Sequence, residues 1–484
     1  MLQQMPVQLH EDLGKLAKSA TRRLQPLTFG SACSGTDICV KVMEAVDEVL
    51  DLEYGITCRW KPVFAAESNA EKRDFLLAQY SEGMLFENAR DLSLNFANDV
   101  RSGRARQLVP QAAAFAAGFS CVSRSPCNKN AKKFKHCLRE GTPCPTQETY
   151  EMTMAYIRSA RPTICWLENV KELESGDHGT EDINDLAYIK DELRSLNYYT
   201  QAWLIDALDY GSVARRKRLF VLGVILDESI ADSPEHHLWL EQFCERFLNV
   251  TKIGSKLVSD FVDLNHLQQE EPMYKSSRLD ANFRDDHSAF YRVAGLKWPP
   301  PRSALEHLST VEMQERQIEL AFLVDALFPR PDDLNINAQE FIDVNQSACR
   351  LLDANPKTIV AKEEFKKNPW SLHVPTLTSS GTILMRWILP GEHKHVLRLV
   401  TPLETMALIG WTENMWAQGT LPAIKSNRSL LCDLAGNAFS GFSFAPLVAC
   451  GIAVAGCTAD VVRLAASKEQ VQTIEDSSSS GETD

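Results

Sequence analysis

"LTFGSACSGTDICVKVMEAVDEVL", residues 27–50, has the pattern of a strand, a tight turn and a helix. A short apolar run is followed by small and polar residues, and apolar residues then recur at helical spacing. Similar segments alternate from Leu27 to about Leu226. This alternation predicts an α/β fold with a doubly wound, mostly parallel sheet and helices on both faces.

Further strands are predicted at "KPVFAAES", "AAAFAAGF" and "TICWL", with "TQAWLID" and "RLFVLGVIL" as a closing antiparallel pair. A helix with Thr146 as its N-cap and Pro162 as its stop precedes "TICWL". Ligands of such sheets lie beyond the carboxyl ends of the strands. The candidate site residues are therefore those that follow the strands: the Ser34-Gly35-Thr36 turn, Glu67, Asp91, Cys121 and Glu168.

The alternation is lost after the closing pair. "STVEMQERQIELAFLVDAL" predicts a helix capped by Ser309, and "HVPTLTSSGTILMRWIL" predicts a hairpin that turns at Ser380-Gly381. "SLLCDLAGNAFSGFSFAPLVACGIAVAG" predicts a turn and a buried helix that return to the first domain. The predicted divisions are an N-terminal extension (1–26), the first part of the main domain (27–230), an inserted domain (231–400), the return of the main domain (401–466) and a disordered acidic tail (467–484).

The chain has 484 residues, a net charge of −13 and 13 cysteines. The cysteines are scattered and odd in number, which favours a reduced, intracellular compartment. We expect no secretory signal, and no run approaches the ~18 uninterrupted apolar residues of a membrane span. The acidic balance argues against a protein that coats nucleic acid, because phosphate binding favours clustered Lys and Arg, but it allows one local basic site.

Cys121 follows a predicted strand in "AAFAAGFSCVSRSPCNKN", residues 113–130. A thiol at the mouth of a parallel sheet is a candidate nucleophile if its thiolate is favoured. Residues 124–139 contain six Lys or Arg and no acid. We expect this charge to lower the pKa of Cys121 and to hold a polyanion above the thiol. A buried free cysteine is the alternative.

The same basic segment contains Cys127, His136, Cys137 and Cys144, which could ligate zinc. Their spacing lacks paired CxxC units. We therefore predict no metal site.

Two other peptides place polar residues at the same edge of the sheet. "TICWLENVKEL" delivers Glu168 and Asn169 there, and burial is expected to raise the pKa of Glu168 so that it can donate or share a proton. A helix-capping glutamate is the alternative. "DYGSVARRKRLFVLGV" places a basic run, 215–218, just before a core strand. A solvated charge run or a targeting patch is the alternative there.

In their order along the chain, these peptides resemble the motifs of the cytosine-5 DNA methyltransferase family. "GFSCVSRS" is similar to the family's Gly-Phe-Pro-Cys-Gln-x-x-Ser motif, "LENV" to Glu-Asn-Val and "YGSVARRKRLFVLG" to Gln-x-Arg-x-Arg. "VPTLTSSG" resembles the Thr-Leu-Thr that closes the target-recognition domain. "RLVTPLETMALIGW" and "GNAFSGFSFAPLVACGIA" are similar to the last two motifs. The resemblance covers most of residues 27–226 and 374–455.

The resemblance implies the Rossmann-like fold of S-adenosylmethionine-dependent methyltransferases, with a smaller target-recognition domain over 231–400. It implies transfer of a methyl group from S-adenosylmethionine to C5 of a flipped-out cytosine in DNA, through a cysteine adduct at C6. Cys121 is then the nucleophile and Glu168 contacts N3 of the base. Asn169 would lie in the catalytic site, and Arg216 and Arg218 would position the base and its phosphates.

The resemblance also implies the binding residues. The cofactor-binding residues are Ser34, Gly35, Thr36, Asp37, Glu67, Ser68, Asp91, Leu92, Asn437 and Ala438. The nucleic-acid-binding residues are Ser125, Lys129, Lys132, Lys133, Lys135, Thr376 and Thr378. DNA is the expected partner, the nucleus the expected location, and no membrane partner is expected.

Three positions depart from the family motifs: Ser120 replaces the proline, Val122 replaces the glutamine, and Ala214 stands where the third motif has its glutamine. Cys33 and Thr36 also stand where glycine is usual in the first turn. Two alternatives therefore stay open. The chain could methylate cytosine in RNA, as the transfer-RNA branch of the family does, or bind cofactor and nucleic acid without catalysis.

Overall fold

The computed structural model describes the following residues: 5–125, 128, 130–134, 136–174, 184–256, 261, 308–309, 339–343, 371–378, 383–388, 395–417 and 427–460. Within these residues a seven-stranded sheet with flanking helices forms the main body. A four-stranded sheet lies in the predicted inserted domain.

The first nine strands are β1 (Thr28–Ala32), β2 (Lys61–Ala66), β3 (Met84–Phe86), β4 (Phe96–Asp99), β5 (Arg104–Leu108), β6 (Ala114–Ala117), β7 (Ile164–Asn169), β8 (Tyr199–Asp206) and β9 (Lys217–Val224). β4 and β5 pair with each other, and the other strands form the main sheet in the order β3-β2-β1-β6-β7-β9-β8. β9 runs antiparallel to both of its neighbours, β7 and β8, and every other neighbouring pair in this sheet is parallel. The mostly parallel sheet and its antiparallel pair are therefore confirmed. β6 and β7 are buried along their whole lengths, as expected for strands covered on both faces.

Helices cover both faces of this sheet. They are α1 (Val7–Arg23), α2 (Ile38–Tyr54), α3 (Ala70–Gln79), α4 (Cys137–Glu140), α5 (Pro145–Ala160), α6 (Asp185–Ser195), α7 (Pro234–Val250), α8 (Pro402–Leu408), α9 (Arg428–Asn437) and α10 (Gly441–Ala455). Leu16, Met43 and Leu447, on α1, α2 and α10, belong to one apolar cluster. Tyr150 and Ile189, on α5 and α6, belong to a second cluster. The doubly wound arrangement is thus built from two separate cores.

The C-terminal segment returns to the main sheet. The indole N–H of Trp166 in β7 donates to the carbonyl of Leu447 in α10, at 3.0 Å. Arg23, at the end of α1, donates to the carbonyls of Ala455 (2.8 Å) and Ile225 (2.9 Å). The main body is therefore discontinuous in sequence. The first residues of "SLLCDLAGN", predicted as a turn, belong instead to a helix, α9.

The stretch Ser429–Ala455 is long and apolar enough to cross a membrane by composition alone. In the structure 83% of its most apolar window is buried inside the protein. Its hydrophobicity is accounted for by packing of α10 between α1, α2 and the sheet.

The second sheet contains β10 (Leu308–Ser309), β11 (Glu340–Asp343), β12 (Ile383–Ile388) and β13 (His395–Leu399), in the order β10-β13-β12-β11. The predicted hairpin is wrong in its pairing, because β12 lies between β11 and β13 and has no free edge. The segment before it pairs elsewhere, through a bridge between Val374 and Ala214. Ser380 and Gly381, the predicted turn, lie outside the described residues. So does the predicted helix after Ser309, which is itself the last residue of β10.

The predicted N-cap of α5 is also wrong. Cys144 is the N-cap and Pro145 occupies the first helical position, where a missing N–H costs nothing. Thr146 lies one residue inside the helix and is fully buried.

Gly456 provides a test of the packing between α1 and the end of α10. A Cβ at this position would lie 1.9 Å from the carbonyl oxygen of Leu16, a backbone atom of α1. Gly456→Ala therefore forces the two elements apart, and we expect a loss of about 2 kcal/mol or more in the free energy of unfolding. Urea denaturation measures it.

Gly14→Ala is the matched control within α1. Its Cβ would meet the half-buried ring of Tyr54 at 2.6 Å, and a side chain can move where backbone cannot. Alanine also favours a helix over glycine by about 1 kcal/mol. An equal loss for both variants would contradict the contact between Gly456 and α1 as the cause.

Candidate active site

The strand order reverses between β1 and β6, which are neighbours in the sheet but not in the sequence. Doubly wound sheets bind ligands at this reversal, beyond the carboxyl ends of the strands. The turn that holds Ser34 and Gly35 follows β1, and the turn that holds Cys121 follows β6. The two predicted motifs therefore adjoin at the position where such folds place their ligands.

The turn after β1 is tightly wound. Cys33, Gly35 and Asp37 have left-handed backbone angles, with φ of 53°, 53° and 51°. The N–H of Gly35 donates to Oε2 of Glu67 at 2.9 Å. The hydroxyl of Tyr80 donates to the carbonyls of Thr36 (3.0 Å) and Asp37 (2.8 Å). These bonds hold two non-glycine residues in a strained conformation. Cys33, which stands where the family has glycine, adopts the backbone angle that glycine favours.

Asp37 directs a buried carboxyl group into this turn. The residue is 4% exposed, and its Oδ1 has no hydrogen-bond partner among the described residues. Burial raises the pKa of Asp37 to about 7, and a hydrogen bond with the Ser31 side chain opposes this shift. A buried carboxylate oxygen without a partner is ready to accept a bond from a cationic group.

The other predicted cofactor residues lie around the same edge. Glu67 is buried, and its second carboxylate oxygen accepts the N–H of Asn69 at 2.9 Å. Ser68 follows it and is exposed. Asp91 and Leu92 lie in a short helical turn after β3, where burial raises the pKa of Asp91.

Asn437 and Ala438 are at the end of α9. The exposed side chain of Asn437 donates to Asp433 at 2.6 Å. Asp433 in turn forms an ion pair of 2.8 Å with Lys72 of α3. The C-terminal return is thereby joined to the helix that follows Glu67.

Cys121 lies half-buried in a tight turn. Its carbonyl accepts the N–H groups of Arg124 (3.0 Å) and Ser125 (2.8 Å). Burial raises the pKa of the thiol, and the charge of Glu168 raises it further, whereas Arg218 and Arg216 lower it. The expectation of a lowered pKa is wrong, because burial and Glu168 raise it. The described cations that oppose this shift are Arg218 and Arg216, and several lysines of the basic segment lie outside the described residues.

Glu168 and Asn169 end β7 beside this turn. Glu168 is 8% exposed and its Oε1 lies 3.1 Å from Nε of Arg218. Burial raises the pKa of Glu168, as predicted, while Arg218 and Arg216 oppose the shift. The side-chain amide of Asn169 donates to the carbonyl of Phe119 at 2.8 Å, which ties β7 to the cysteine turn.

The two arginines have different environments. Arg216 is 4% exposed and donates to the carbonyls of Gly436, at 3.1 Å, and Ala438. Burial lowers the pKa of Arg216 to about 9. Its expected role at the base and phosphates is therefore not supported in this geometry, since its guanidinium holds the C-terminal segment. Arg218 is the arginine that contacts Glu168.

The basic segment is only partly a free cationic surface. Arg124 is 4% exposed; it donates to the carbonyl of Phe134 at 3.2 Å and pairs with Asp185 at 3.7 Å. Lys133 is exposed, and its contact to a phosphate stays a prediction. Lys129, Lys135, Cys127 and the side chain of Lys132 lie outside the described residues.

Thr376 and Thr378 are half-buried and follow Val374, which exchanges backbone bonds with Val213 (3.0 Å) and Arg215 (2.9 Å). The structure thus brings the two threonines beside the loop before β9. Among the described residues no group of three or more Cys, His, Asp or Glu could hold a metal ion.

Sequence reasoning missed the residues that support the two turns. Tyr80 holds the first turn, and Thr146 and Thr149 contact the cysteine turn. The pattern "PTQET" at a helix start was the available signal, but it was interpreted as capping of α5 itself.

A family model described as C-5 cytosine-specific DNA methylase matches residues 87–440, more than half of the chain. The chain therefore belongs to the C-5 cytosine-specific DNA methylase family. Its α/β fold is that of the S-adenosylmethionine-dependent methyltransferases, and S-adenosylmethionine is the cofactor. The family resemblance of the sequence motifs is confirmed.

Individual relatives are distant. The type II methyltransferase M.HhaI of Haemophilus parahaemolyticus is 33% identical over 66 residues, which are 14% of this chain and 19% of that enzyme. The match thus spans about a fifth of that relative. Among solved structures, S. pombe Dnmt2 methyltransferase has 13% identity and a TM-score of 0.40, covering 87% of this chain and 97% of its own. Entamoeba histolytica methyltransferase EhMeth has 12% identity and a TM-score of 0.42, covering 88% and 97%.

The described residues fit this cofactor at the turn after β1. S-adenosylmethionine carries a sulfonium and an α-ammonium group, and both are cationic. The unpartnered Oδ1 of Asp37 and the buried carboxylate of Glu67 supply negative charge there.

The coupling between Glu168 and Cys121 has a testable consequence. Glu168→Gln removes the charge that raises the pKa of Cys121 and leaves Arg216 and Arg218 in place. The thiol pKa should fall, and alkylation of Cys121 by iodoacetamide at pH 8 should become several-fold faster. Peptide mass spectrometry measures the rate for this cysteine alone.

Glu174→Gln removes the same charge from an exposed position just beyond β7 and should leave the rate unchanged. An unchanged rate in Glu168→Gln would show that Glu168 already carries a proton at this pH and does not act on the thiol.

Proposed function

We propose that the protein transfers a methyl group from S-adenosylmethionine to C5 of cytosine in DNA, with Cys121 as the nucleophile. The observation that carries this proposal is the grouping of Cys121, Glu168 and Arg218 beside the turn after β1. A thiol, a carboxyl group of raised pKa and an arginine 3.1 Å from that carboxyl are gathered where the fold places its cofactor. We propose the nucleus as the place of this reaction.

The reaction needs C5 of cytosine to become nucleophilic. The Cys121 thiolate adds to C6, and the electrons of the C5–C6 double bond become available at C5. Glu168, whose pKa burial raises, donates a hydrogen bond or proton at N3 and stabilises the charge that develops on the ring. The bound cofactor supplies an electrophilic methyl group. Loss of the C5 proton to solvent then re-forms the C5–C6 double bond while the bond between C6 and sulfur breaks, which frees Cys121 as a thiolate.

Arg218 has a positioning role in this scheme. Its guanidinium lies against Glu168 and lowers the pKa of Cys121. Arg218 therefore opposes the effect of burial on the pKa of both Cys121 and Glu168. The base must leave the duplex to reach the cysteine turn, because a stacked cytosine does not expose C6 to a side chain. The described candidates for contacts to the nucleic acid are Ser125, Lys133, Thr376 and Thr378.

DNA is proposed as the substrate because the matching family model describes DNA methylases and because the relative M.HhaI is a type II methyltransferase. Methylation of RNA and binding without catalysis are the competing outcomes. Val122 and Ala214 have apolar side chains, so neither position offers the amide group of the family's glutamines. Val122 is 59% exposed next to the thiol, whereas Ala214 is 2% exposed. These substitutions are the reason to measure catalysis directly.

The test uses methyl-labelled S-adenosylmethionine with a mixture of unmethylated duplex DNA and total RNA. We expect label in DNA that is lost in Cys121→Ala and kept in Cys432→Ala, which changes another half-buried cysteine. Label in RNA would transfer the assignment to RNA. If no polymer is labelled while the cofactor still binds, the proposed reaction is wrong and the chain is a binding protein.

Asp37 gives a separate prediction about the cofactor. Asp37→Asn removes the charge but suits the left-handed backbone, and we expect it to weaken S-adenosylmethionine binding at pH 8 by about tenfold. In the wild type, affinity should decline as pH falls below about 7, because the carboxyl of Asp37 then takes up a proton. The variant should lack this decline. Isothermal titration calorimetry at several pH values measures both effects.

The same variant should stabilise the protein without cofactor. The pKa of Asp37 is about 7 in the folded protein and 3.8 ordinarily. The stability of the wild type therefore falls as pH rises from 3.8 to about 7, and the full loss is present above pH 7. Asparagine does not ionise, so the variant avoids this loss. Asp47→Asn is the matched control, since burial also raises the pKa of the half-buried Asp47, to about 6, and its Oδ1 also has no partner among the described residues. It lies about 15 Å along α2 and should leave cofactor affinity unchanged. Equal affinity losses in both variants would contradict a contact at Asp37.

A further inference from the structure

The cysteine turn lacks the proline that precedes the nucleophile in the family motif. Ser120 stands there and therefore has a backbone N–H, which proline does not. This N–H donates to Oγ1 of Thr149 at 2.9 Å. Thr149 is in the first turn of α5, and its hydroxyl in turn donates to the carbonyl of Pro145 at 2.8 Å. One hydroxyl thus connects the backbone beside the nucleophile to the start of a helix.

A second threonine of the same helix turn binds the other side of the turn. The N–H of Ser123 donates to Oγ1 of Thr146 (3.2 Å), and the N–H of Thr146 donates to Oγ of Ser123 (3.4 Å). Both side chains are almost fully buried, with exposed fractions of 0% for Thr146 and 1% for Ser123. Cys121 therefore lies between two backbone N–H groups, at positions 120 and 123, that are both bound by α5.

In the described structure, neither threonine hydroxyl is left free to bind a ligand or the substrate. Thr146 is buried, and the hydroxyl of Thr149 is occupied by one donor and by carbonyls of its own helix. The bonds also differ from ordinary capping, because they run from a loop about 25 residues earlier in the chain to the helix start.

We infer that Thr149 is a positioning residue for Cys121, and that its bond to the N–H of Ser120 restrains the turn where the family uses a proline ring. A proline restrains the chain by fixing φ in the free loop. Here the restraint comes from a hydrogen bond to a rigid helix, supported by Thr146 on the far side of the thiol. The inference rests on the proposed function for its catalytic consequence, but the restraint itself does not require activity.

The test compares three variants of α5. Thr149→Val keeps the shape and removes the hydroxyl, Thr149→Ser keeps the hydroxyl, and Thr153→Val is the matched control. Thr153 is fully buried one turn further along, and its hydroxyl donates to the carbonyl of Thr149 at 2.8 Å. Hydrogen exchange of the peptide that contains Ser120 reports the restraint, and single-turnover methyl transfer reports its effect on Cys121.

In Thr149→Val the amide hydrogen of Ser120 should exchange at least about fivefold faster than in the wild type, because its hydrogen bond to the threonine hydroxyl is lost. Its methyl-transfer rate should fall about tenfold while the KM for S-adenosylmethionine stays unchanged, because the thiol is misplaced but the turn after β1 is not. Thr149→Ser and Thr153→Val should behave as the wild type in both measurements.

Unchanged exchange at Ser120 in Thr149→Val would overturn the inference, and so would an equal rate loss in Thr153→Val, which would indicate a general effect on α5. If the wild type transfers no methyl group, the proposed function fails, yet the exchange measurement still decides whether Thr149 restrains the turn. The two failures are therefore distinguishable.

Discussion

The burial of the Glu168 carboxyl group at the end of β7 is the constraint on which the site depends. Desolvation raises its pKa, and an ionised carboxylate at this depth requires a cation close by. The antiparallel register supplies that cation. Glu168 lies opposite Phe220, so Arg218, two residues earlier on β9, projects from the same face on the diagonal. The single antiparallel strand of a mostly parallel sheet therefore places an arginine 3.1 Å from the buried acid.

The same stretch of chain organises the return of the C-terminal segment. Arg216 stands two residues before Arg218, and its buried guanidinium donates to Gly436 and Ala438. The corner that follows carries Phe439, which packs so closely on Gly118 that an added Cβ would lie 3.0 Å from its ring. A side chain at position 118 would therefore require the ring of Phe439 to shift by a few tenths of an ångström. Arg218 pairs with the buried acid and Arg216 holds the C-terminal segment, although only Lys217 separates them in the sequence.

The fold could be predicted from the sequence because its signals are local. Apolar runs such as "TICWL" and helical spacing such as that of residues 38–54 depend on a few neighbouring residues. The candidate site at the carboxyl ends of β1, β6 and β7 followed from the topology, and the raised pKa of Glu168 followed from its place after an apolar strand. The errors of the sequence-based predictions concern which groups the charged side chains contact. Arg124 and Arg216 belong to basic runs of the sequence, yet both are buried. Arg124 donates to the carbonyl of Phe134, and Arg216 donates to the carbonyl of Gly436, which is distant in the sequence.

The sequence by itself determined the order of strands and helices, the family and the residues able to carry the chemistry, because these depend on residue type and spacing. Only the tertiary structure decided which charges act on Cys121, which arginine contacts Glu168, and that Thr149 holds the backbone of Ser120. Hydrogen bonds and charge interactions act over a few ångströms, and the groups involved come from β6, β7, β9, α5 and the C-terminal return. Their distances are set by how the elements pack, which no local pattern encodes.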